Sequence, residues 1–412
     1  MAATVTYHVP GGILTEREHT VPLDHGAPSG PTITVFTREL AAPDGRDRPY
    51  LLFLQGGPGM EATRPTSPPS GWMKRALQDY RVLLLDQRGV GRSTPVGELI
   101  PGDSPAAQAE YLTNFRADSI VRDAELIRAE LGVGRWSVLG QSFGGFTSMT
   151  YLSIAPEGLR EAYITGGLSP IGRPVDDIYG ATWRRVIGKN RAYFERYPDD
   201  RARARDILHR LEAEDVRLPN GDRLTARRFR QLGLWLGDSA GFELLHHVLE
   251  LPFASPAFLW DAEKGAANFA RNPIYATLHE SSYADSVATR WSAARLEPVE
   301  IETEGYFSAE HIFPWMWQDH GGLRAQREAA ELLAEHPWPR LYDADVLRAN
   351  EVPVAATIYV DDLYIERAFA EETAATIAGL KAWVTNEYEH NALRADGERV
   401  VGRLIDMLHG RA

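Results

Sequence analysis

The chain has 412 residues, of which 44% are hydrophobic and 25% charged, so it can bury a large core in one domain with an insertion or in two domains. Its net charge is −13, and no run of basic residues forms a patch that could bind phosphate groups. Nucleic acid is therefore a poor partner. There is no cysteine, which excludes disulfides, thiolate catalysis and cysteine-ligated zinc or iron–sulfur centres.

The chain offers no obvious membrane-directed segment. Residues 1–14 lack a basic region followed by an apolar run, and no stretch approaches the roughly 18 consecutive apolar residues of a membrane-spanning helix. We therefore expect a soluble, cytoplasmic protein with neither a membrane nor a nucleic acid as partner.

Short apolar runs alternate with helix-period segments between about residues 20 and 168. One such segment, 120–131, has its apolar residues on one face of a helix that Asp118 or Ser119 could cap and Gly132 could end. This alternation is typical of a mainly parallel sheet with helices on both faces. The clearest strands are predicted over 50–54, 81–85, 136–139 and 162–165.

From residue 169 to about 345 the pattern changes to longer helical, arginine-rich and aromatic stretches without a convincing strand. Most of the ten tryptophans lie here, and large aromatic side chains usually pack a core, although some of these could line a pocket. Strands and a closing helix return over 354–360, 383–387 and 400–408. We therefore predict an α/β core formed by 1–168 and 346–412, with an inserted helical cap over 169–345.

A glycine-rich motif, Gly140-Gln141-Ser142-Phe143-Gly144-Gly145, lies between the predicted strand 136–139 and a helical stretch over 146–152. In G-x-S-x-G, glycines beside the serine let the chain turn sharply from strand to helix and present the hydroxyl at the top of the sheet. The strand and the helix on either side disfavour the alternative of an accidental glycine-rich turn. The motif predicts an α/β-hydrolase fold with Ser142 as its nucleophile.

A serine hydroxyl is a weak nucleophile unless a base takes its proton and a third group orients that base. In this fold the acid follows a late strand and the histidine lies near the C-terminus. Asp361 and Asp362 end the first late strand, and His390 follows the second. His409 is the only other histidine beyond these aspartates, and it lies in the predicted closing helix. We predict His390 as base and Asp362 as acid, with Asp361 as the alternative, because periodicity does not fix which carboxylate faces the site.

Acyl transfer also needs hydrogen-bond donors aimed at the charge that develops on the substrate carbonyl oxygen. One is the backbone N–H of Phe143, the residue after the nucleophile. The other is expected from the loop after an early strand, and Gln55-Gly56-Gly57-Pro58-Gly59 directly follows the strand 50–54. We predict Gly57 as this donor because glycine allows close backbone approach, with a plain turn as the alternative.

Other catalytic chemistries receive little support. Hydrolases with an aspartate nucleophile share this fold, but Ser142 occupies the nucleophile position. His246 and His247 are adjacent rather than four residues apart, and no H-E-x-x-H motif occurs, so no metal site is predicted. We expect catalysis by side chains and backbone groups alone, without a metal or a cofactor.

Three glycine-containing motifs follow one another in the N-terminal half, and two further motifs surround the predicted acid and base. They are Gly56-Gly57-Pro58-Gly59, Asp86-Gln87-Arg88-Gly89-Val90-Gly91-Arg92-Ser93, Gly140-Gln141-Ser142-Phe143-Gly144-Gly145, Tyr359-Val360-Asp361-Asp362-Leu363-Tyr364 and Asn386-Glu387-Tyr388-Glu389-His390-Asn391. Together they resemble the proline iminopeptidases, or prolyl aminopeptidases, which are α/β-hydrolases with a cap. The second motif is the most specific, because a lone G-x-S-x-G occurs in many esterases. The chain departs from smaller members in carrying Gln55 where they usually have histidine, which leaves a backbone oxyanion donor unaffected.

The resemblance implies a serine aminopeptidase that releases N-terminal proline from small peptides through an acyl-enzyme. It also implies that cap glutamates bind the charged amino group of the substrate, and Glu310 and Glu280 look like those residues. A pair of partly buried carboxylates would hold a cationic proline nitrogen and reject chains that continue beyond it. Ordinary surface glutamates on cap helices are the alternative at both positions.

Two rival functions stay open. An esterase or amidase of the same fold, acting on another small acyl substrate, would have an identical triad and differ only in its cap. A non-catalytic ligand-binding relative would typically have lost a member of the triad, whereas this chain retains serine, aspartate and histidine in order. The sequence therefore favours the prolyl aminopeptidase.

Overall fold

A single nine-stranded sheet forms the centre of the computed structural model, which describes residues 4–265 and 269–411. The strand order is β1-β2-β3-β5-β4-β6-β7-β8-β9. Strands β4 to β9 run parallel, and β1 to β3 continue the sheet antiparallel at the β5 edge. The strands are β1 (Thr4–Val9), β2 (Gly12–Pro22), β3 (Thr32–Ala41), β4 (Tyr50–Leu54), β5 (Arg81–Asp86), β6 (Trp136–Gln141), β7 (Leu159–Thr165), β8 (Val354–Tyr359) and β9 (Lys381–Thr385).

The predicted mainly parallel sheet is confirmed, and every predicted strand overlaps an observed one. The last strand, predicted over 383–387, occupies Lys381–Thr385 instead. The prediction omits the three antiparallel strands β1 to β3. Strands β4, β6 and β8 are buried along their whole length, as expected for parallel strands covered on both faces.

Helices cover both faces of the sheet. The helices of the segments before β7 and after β8 are α1 (Gly71–Ala76), α2 (Pro105–Thr113), α3 (Ala117–Glu130), α4 (Phe143–Ile154), α16 (Arg367–Thr376), α17 (Ala392–Ala395) and α18 (Gly397–Leu408). The predicted helix around 120–131 is α3, which Gly132 follows in a left-handed conformation, but Asp118 and Ser119 lie inside its first turn rather than at its N-cap.

The segment between β7 and β8 is helical, and the described part of it adds no strand to the sheet. Its α-helices are α5 (Val175–Arg196), α6 (Asp200–Ala213), α7 (Ala226–Arg230), α8 (Gly241–Glu250), α9 (Pro256–Gly265), α10 (Ile274–Leu278), α11 (Ser292–Arg295), α12 (Glu300–Thr303), α13 (Met316–Asp319), α14 (Arg327–Glu335) and α15 (Ala344–Arg348). Short 3-10 helices, including Gln231–Gly237 and Glu280–Tyr283, connect some of them. The division of the chain into a core and a cap at residues 169 and 345 stays a prediction.

Two hydrophobic clusters lie on opposite faces of the sheet. One contains Trp72 of α1 and Leu404 of α18 and comprises residues of the sheet, of α1, α17 and α18, and of nearby loops. The other contains Phe146 of α4 and continues without interruption into the helical segment, where Trp183 is fully buried. The helical segment is therefore attached to the sheet through a shared apolar core, and this attachment fixes its position over the site described below.

Within the residues described, no helix combines the length and the apolar character required to cross a bilayer.

Candidate active site

Ser142 occupies a sharp turn between the end of β6 and the start of α4. Its backbone dihedral angles are φ 55° and ψ −123°, a conformation that non-glycine residues rarely adopt. Such a turn projects the serine side chain away from both the strand and the helix, at the carboxyl edge of the parallel strands. The predicted strand-turn-helix context of the motif is therefore present.

The glycines at both ends of G-x-S-x-G are required by close backbone contacts. A Cβ atom on Gly140 would lie 2.3 Å from the Gly144 carbonyl oxygen, and a Cβ atom on Gly144 would lie 1.9 Å from the Leu54 carbonyl oxygen. No side chain can be accommodated at such distances. The first turn of α4 is consequently seated directly on the end of β4, which fixes the position of Ser142.

The structure brings the three predicted triad residues together. His390 Nε2 lies 2.9 Å from Ser142 Oγ, and His390 Nδ1 lies 2.8 Å from Asp362 Oδ2. Both distances are within the hydrogen-bonding range expected between a nucleophile, its base and the group that orients the base. The ring of Tyr364 meets the His390 imidazole edge to face at a centroid distance of 4.8 Å.

The two candidate acids differ in their surroundings. Asp362 is 2% exposed, and its Oδ1 accepts hydrogen bonds from the backbone N–H groups of Tyr364 at 2.8 Å and Ile365 at 3.0 Å. Asp361 is exposed. The buried carboxylate is thus held by two backbone donors through one oxygen while its other oxygen faces the imidazole. This geometry favours Asp362 as the orienting acid.

Two opposing effects act on the His390 imidazole. Burial, the largest effect, acts to lower its pKa, but the attraction of the Asp362 carboxylate and the hydrogen bond to it, together with the charge of Glu310, raise the pKa above its usual value of 6.5. The protonated form of His390 is therefore stabilised. This is the form that a general base reaches when it removes a proton from a serine hydroxyl.

The predicted oxyanion donors flank Ser142. Phe143 is the first residue of α4, so its N–H has no intrahelical acceptor. Gly57 has a φ of +130°, which favours glycine, and it lines the same cavity as Ser142. Their role as donors stays a prediction, to which the position of both groups gives support.

The second glycine-containing motif, between Asp86 and Ser93, supports the oxyanion loop. The side-chain amide of Gln87 donates to the Gln55 carbonyl at 2.9 Å, and Asp86 accepts from the Ala62 N–H at 3.2 Å. The Arg88 side chain is fully buried and forms a two-nitrogen contact with Asp123. Gln87 and Asp86 thus bond to the loop that follows β4 and contains Gly57, whereas Arg88 bonds to Asp123 of α3.

A cavity of about 290 Å³ lies over Ser142 and His390. Glu310 lines it, and the Glu310 side chain is 17% exposed. The Tyr275 hydroxyl donates to Glu310 Oε2 at 3.1 Å, and His279 Nε2 lies 3.6 Å from the same oxygen. No lysine or arginine of the described residues lies within ion-pair distance of the Glu310 carboxylate. Among the described residues, the Glu310 carboxylate thus has no permanently cationic partner.

Glu280 is placed differently. It is 6% exposed and is not among the described residues that line the cavity. Its carboxylate oxygens accept hydrogen bonds from the backbone N–H groups of Ala293 at 2.9 Å and Ser292 at 3.2 Å, at the start of α11. Burial raises the pKa of the Glu280 carboxyl, while these hydrogen bonds and one from Thr289 oppose the rise. Its predicted contact with a substrate amine therefore stays a prediction, whereas its contact with α11 is direct.

The sequence analysis missed several residues that line the cavity. Tyr275 is one, and burial followed by the charge of Glu310 raises its pKa well above 10, so its hydroxyl stays protonated as a donor to Glu310. Trp235, Asp238, Lys264 and Arg394 also line the cavity. Trp235 and Asp238 lie at one 3-10 helix, but no spacing relates the others to them, so only the folded chain reveals that these residues converge.

The comparisons with known proteins agree with this geometry. A family model described as the alpha/beta hydrolase fold matches residues 49–263. A proline iminopeptidase of Aeromonas sobria is 48% identical, over 98% of this chain and 99% of that relative. The chain belongs to the proline iminopeptidase family.

Other proteins of the proline iminopeptidase family are also similar to the chain. Proline iminopeptidase aneH of Aspergillus aculeatus is 32% identical over 98% of this chain and 95% of that relative. A solved structure of a proline iminopeptidase from Mycobacterium smegmatis matches 96% of this chain and 98% of that chain, with 16% identity and a TM-score of 0.49. The predicted family, fold class and hydrolase class are thereby confirmed.

Exchanging each of the two adjacent aspartates for asparagine tests the choice between them. We expect Asp362→Asn to lower kcat/KM by about 10³–10⁴-fold, because the imidazole loses its orienting carboxylate, and Asp361→Asn to change it by no more than a few fold. Activity should be lost as the pH falls through the pKa of His390. Since Asp362 raises that pKa, the acid limb of the pH–rate profile should move to lower pH in Asp362→Asn only. A larger loss of kcat/KM in Asp361→Asn than in Asp362→Asn would show that Asp361, and not Asp362, orients the imidazole.

The close contact between α4 and β4 is tested by a pair of glycine-to-alanine changes. In Gly144→Ala the new methyl group meets the Leu54 carbonyl oxygen at 1.9 Å, and we expect the free energy of unfolding to fall by about 3 kcal/mol or more. Gly188→Ala, at an exposed position of α5 with no atom within 4 Å of the new Cβ, should instead stabilise by about 0.5–1 kcal/mol. Denaturant unfolding measures both, and equal effects would contradict the proposed contact.

Proposed function

We propose that this chain is a serine aminopeptidase that releases N-terminal proline from peptides. The proposal combines membership of the proline iminopeptidase family with the arrangement of Ser142, His390 and Asp362 below a cavity lined by Glu310. The single observation that carries it is the Glu310 carboxylate, which has no lysine or arginine partner in the described residues and faces the same cavity as the nucleophile.

In the first half of the reaction, Ser142 Oγ attacks the carbonyl carbon of the prolyl residue while His390 Nε2 accepts its proton. The backbone N–H groups of Gly57 and Phe143 stabilise the negative charge that forms on the carbonyl oxygen. His390 then donates the proton to the nitrogen of the leaving peptide, and the C–N bond breaks. The product of this half is a prolyl ester of Ser142 and a peptide shortened by one residue.

In the second half, a water molecule takes the place of the leaving peptide. His390 accepts a proton from the water, whose oxygen attacks the ester carbonyl, and the same backbone donors stabilise the second tetrahedral intermediate. Return of the proton from His390 to Ser142 Oγ releases proline. Asp362 holds the imidazole in one orientation throughout and stabilises its protonated form.

Glu310 supplies the selectivity for a free amino terminus. A secondary amine of an N-terminal proline is cationic near neutral pH, and a carboxylate in a partly dehydrated cavity attracts it more strongly than one in water. The Tyr275 hydroxyl can fix the orientation of the carboxylate but cannot neutralise its charge. The substrate amine is therefore the natural counter-ion of Glu310.

Glu310→Gln tests this assignment. Losing one charge-assisted contact to a substrate amine should cost about 2 kcal/mol or more, so we expect kcat/KM on prolyl amides to fall by at least about thirtyfold. Hydrolysis of a simple uncharged ester should fall by no more than a few fold, because Ser142, His390 and the oxyanion donors are unchanged. The unaltered enzyme should also reject N-acetylprolyl amides, whose nitrogen is neutral. Equal losses on ester and prolyl substrates, or cleavage of the blocked substrate, would favour a general esterase or amidase.

Glu280→Gln is the matched comparison, since it removes the same charge from the other predicted glutamate. If Glu280 contacts the amine, its loss on prolyl amides should exceed its loss on the ester, as for Glu310→Gln. The hydrogen bonds of Glu280 to Ala293 and Ser292 lead us to expect the other result, a lower melting temperature with ester and prolyl activity reduced alike. Thermal unfolding and the two rate measurements separate these outcomes.

A further inference from the structure

The cavity over Ser142 carries charges of opposite sign at different depths. Glu310 is mostly buried, with a side chain 17% exposed, whereas the Arg394 side chain is 63% exposed and Lys264 is also exposed. All three residues line the same cavity. The cavity is therefore negative at its inner end and has two cationic side chains at its mouth.

Arg394 is held in place at the mouth. Its Nη2 donates to both oxygens of Asp238, at 2.9 and 3.2 Å, and Asp238 lines the cavity as well. Within the described residues, Nε and Nη1 of Arg394 donate to no acceptor, so part of the guanidinium is free to bind a ligand. Asp238 is largely neutralised by this pair, whereas Lys264 forms no ion pair within the described residues and its Nζ lies 4.6 Å from the centroid of the Trp260 ring.

The mouth is also fixed relative to the triad. The backbone N–H of His390 donates to the Gly237 carbonyl at 3.2 Å, and the Ser239 hydroxyl donates to Asn391 Oδ1 at 2.8 Å. The pair of Asp238 and Arg394 adds a third contact between the same two segments. These contacts join 237–239 to 390–394, so the guanidinium keeps a constant position relative to the base.

We propose that Arg394 and Lys264 bind the C-terminal carboxylate of the substrate, and that the enzyme acts preferentially on short zwitterionic peptides, above all dipeptides and tripeptides that begin with proline. This proposal rests on the proposed function, because it places the amino terminus at Glu310. An extended chain advances about 3.5 Å per residue, so the carboxylate of such peptides lies roughly 4–7 Å beyond the scissile bond. Long arginine and lysine side chains at the mouth can span this distance.

The test compares prolyl-alanine with prolyl-alaninamide, which has the same ammonium group but no carboxylate. Binding to the Ser142→Ala protein is measured by calorimetry, which requires no turnover. We expect the acid to bind about fivefold more tightly than the amide at low salt, since each half-exposed ion pair contributes a factor of about 1.5–5. The preference should shrink as the ionic strength rises, because salt screens exposed charges.

Variants in the same Ser142→Ala background identify the groups. Arg394→Met leaves Asp238 unpaired, so the preference should invert and the amide should bind more tightly than the acid. Adding Asp238→Asn should restore a preference for the acid of about twofold, the contribution left to Lys264, which loss of a merely structural contact would not do. Lys264→Met should reduce the preference by about twofold. Lys74→Met removes the same charge on α1, where Lys74 pairs with Glu398 outside the cavity, and should leave the ratio unchanged.

The proposal is overturned if acid and amide bind equally well, if neither binds at millimolar concentration, or if the Lys74 and Arg394 variants behave alike. Turnover of a prolyl aryl amide by the active enzyme provides the separate test of the proposed function, because that substrate has no carboxylate. An enzyme that hydrolyses it without an acid preference would retain the proposed function and contradict the carboxylate site. Tighter binding of the acid without turnover of the prolyl aryl amide would support the carboxylate site and contradict the proposed function.

Discussion

The close approach of α4 to the end of β4 is the constraint on which the rest of the site depends. With no Cβ at Gly144, the first turn of the helix contacts the Leu54 carbonyl directly, and Ser142 is held at positive φ between two rigid elements. A strained serine persists only where the surrounding structure over-determines it. The same contact brings the start of α4 against the end of β4, next to the loop that contains Gly57, so the groups proposed as nucleophile and oxyanion donors lie in neighbouring segments.

A second constraint joins the helical segment to the loop that carries the base. The His390 N–H donates to the Gly237 carbonyl, and the Tyr364 hydroxyl donates to the Leu234 carbonyl. Tyr364 also contacts the His390 ring and donates its N–H to Asp362. Exposed ion pairs contribute little stability, so these largely buried contacts, rather than the pair of Asp238 and Arg394, are expected to hold the two parts in register. The shape of the cavity and the geometry of the triad are thereby coupled.

The sequence predicted those parts of the fold in which local pattern and buried environment agree. Strands β4 to β8 are apolar and buried, so continuous hydrophobic runs identified them. The antiparallel strands β1 and β2 were missed because β1 is largely exposed and charged residues interrupt the apolar pattern of β2. Arg17 pairs with Glu39 across the ladder to β3, and the Tyr7 hydroxyl donates to Glu16. Contacts between neighbouring strands, rather than burial of apolar side chains alone, stabilise β1 and β2, and no local sequence pattern encodes such contacts.

In the candidate site, too, some residues could be predicted from local sequence and others could not. Ser142 and His390 could be predicted because a turn or a strand end places each of them. The choice between Asp361 and Asp362 lies beyond periodicity, because β8 ends at Tyr359 and the chain turns, leaving the backbone donors of Tyr364 and Ile365 to select the carboxylate. The two cap glutamates looked equivalent in sequence, and only the folded chain separates one that lines the cavity from one bonded to the start of α11.

The two predicted glutamates differ in what their carboxylates contact. Each oxygen of the Glu280 carboxylate accepts a hydrogen bond from a backbone N–H at the start of α11, and Glu280 is not among the described residues that line the cavity. Glu310 has only hydroxyl and imidazole neighbours among the described residues, and burial and its own charge keep the nearby Tyr275 protonated. A neutral donor orients a carboxylate without satisfying its charge. No lysine or arginine of the described residues neutralises the Glu310 carboxylate, and the proposed selectivity for a free amino terminus depends on this charge in the cavity that Ser142 also lines.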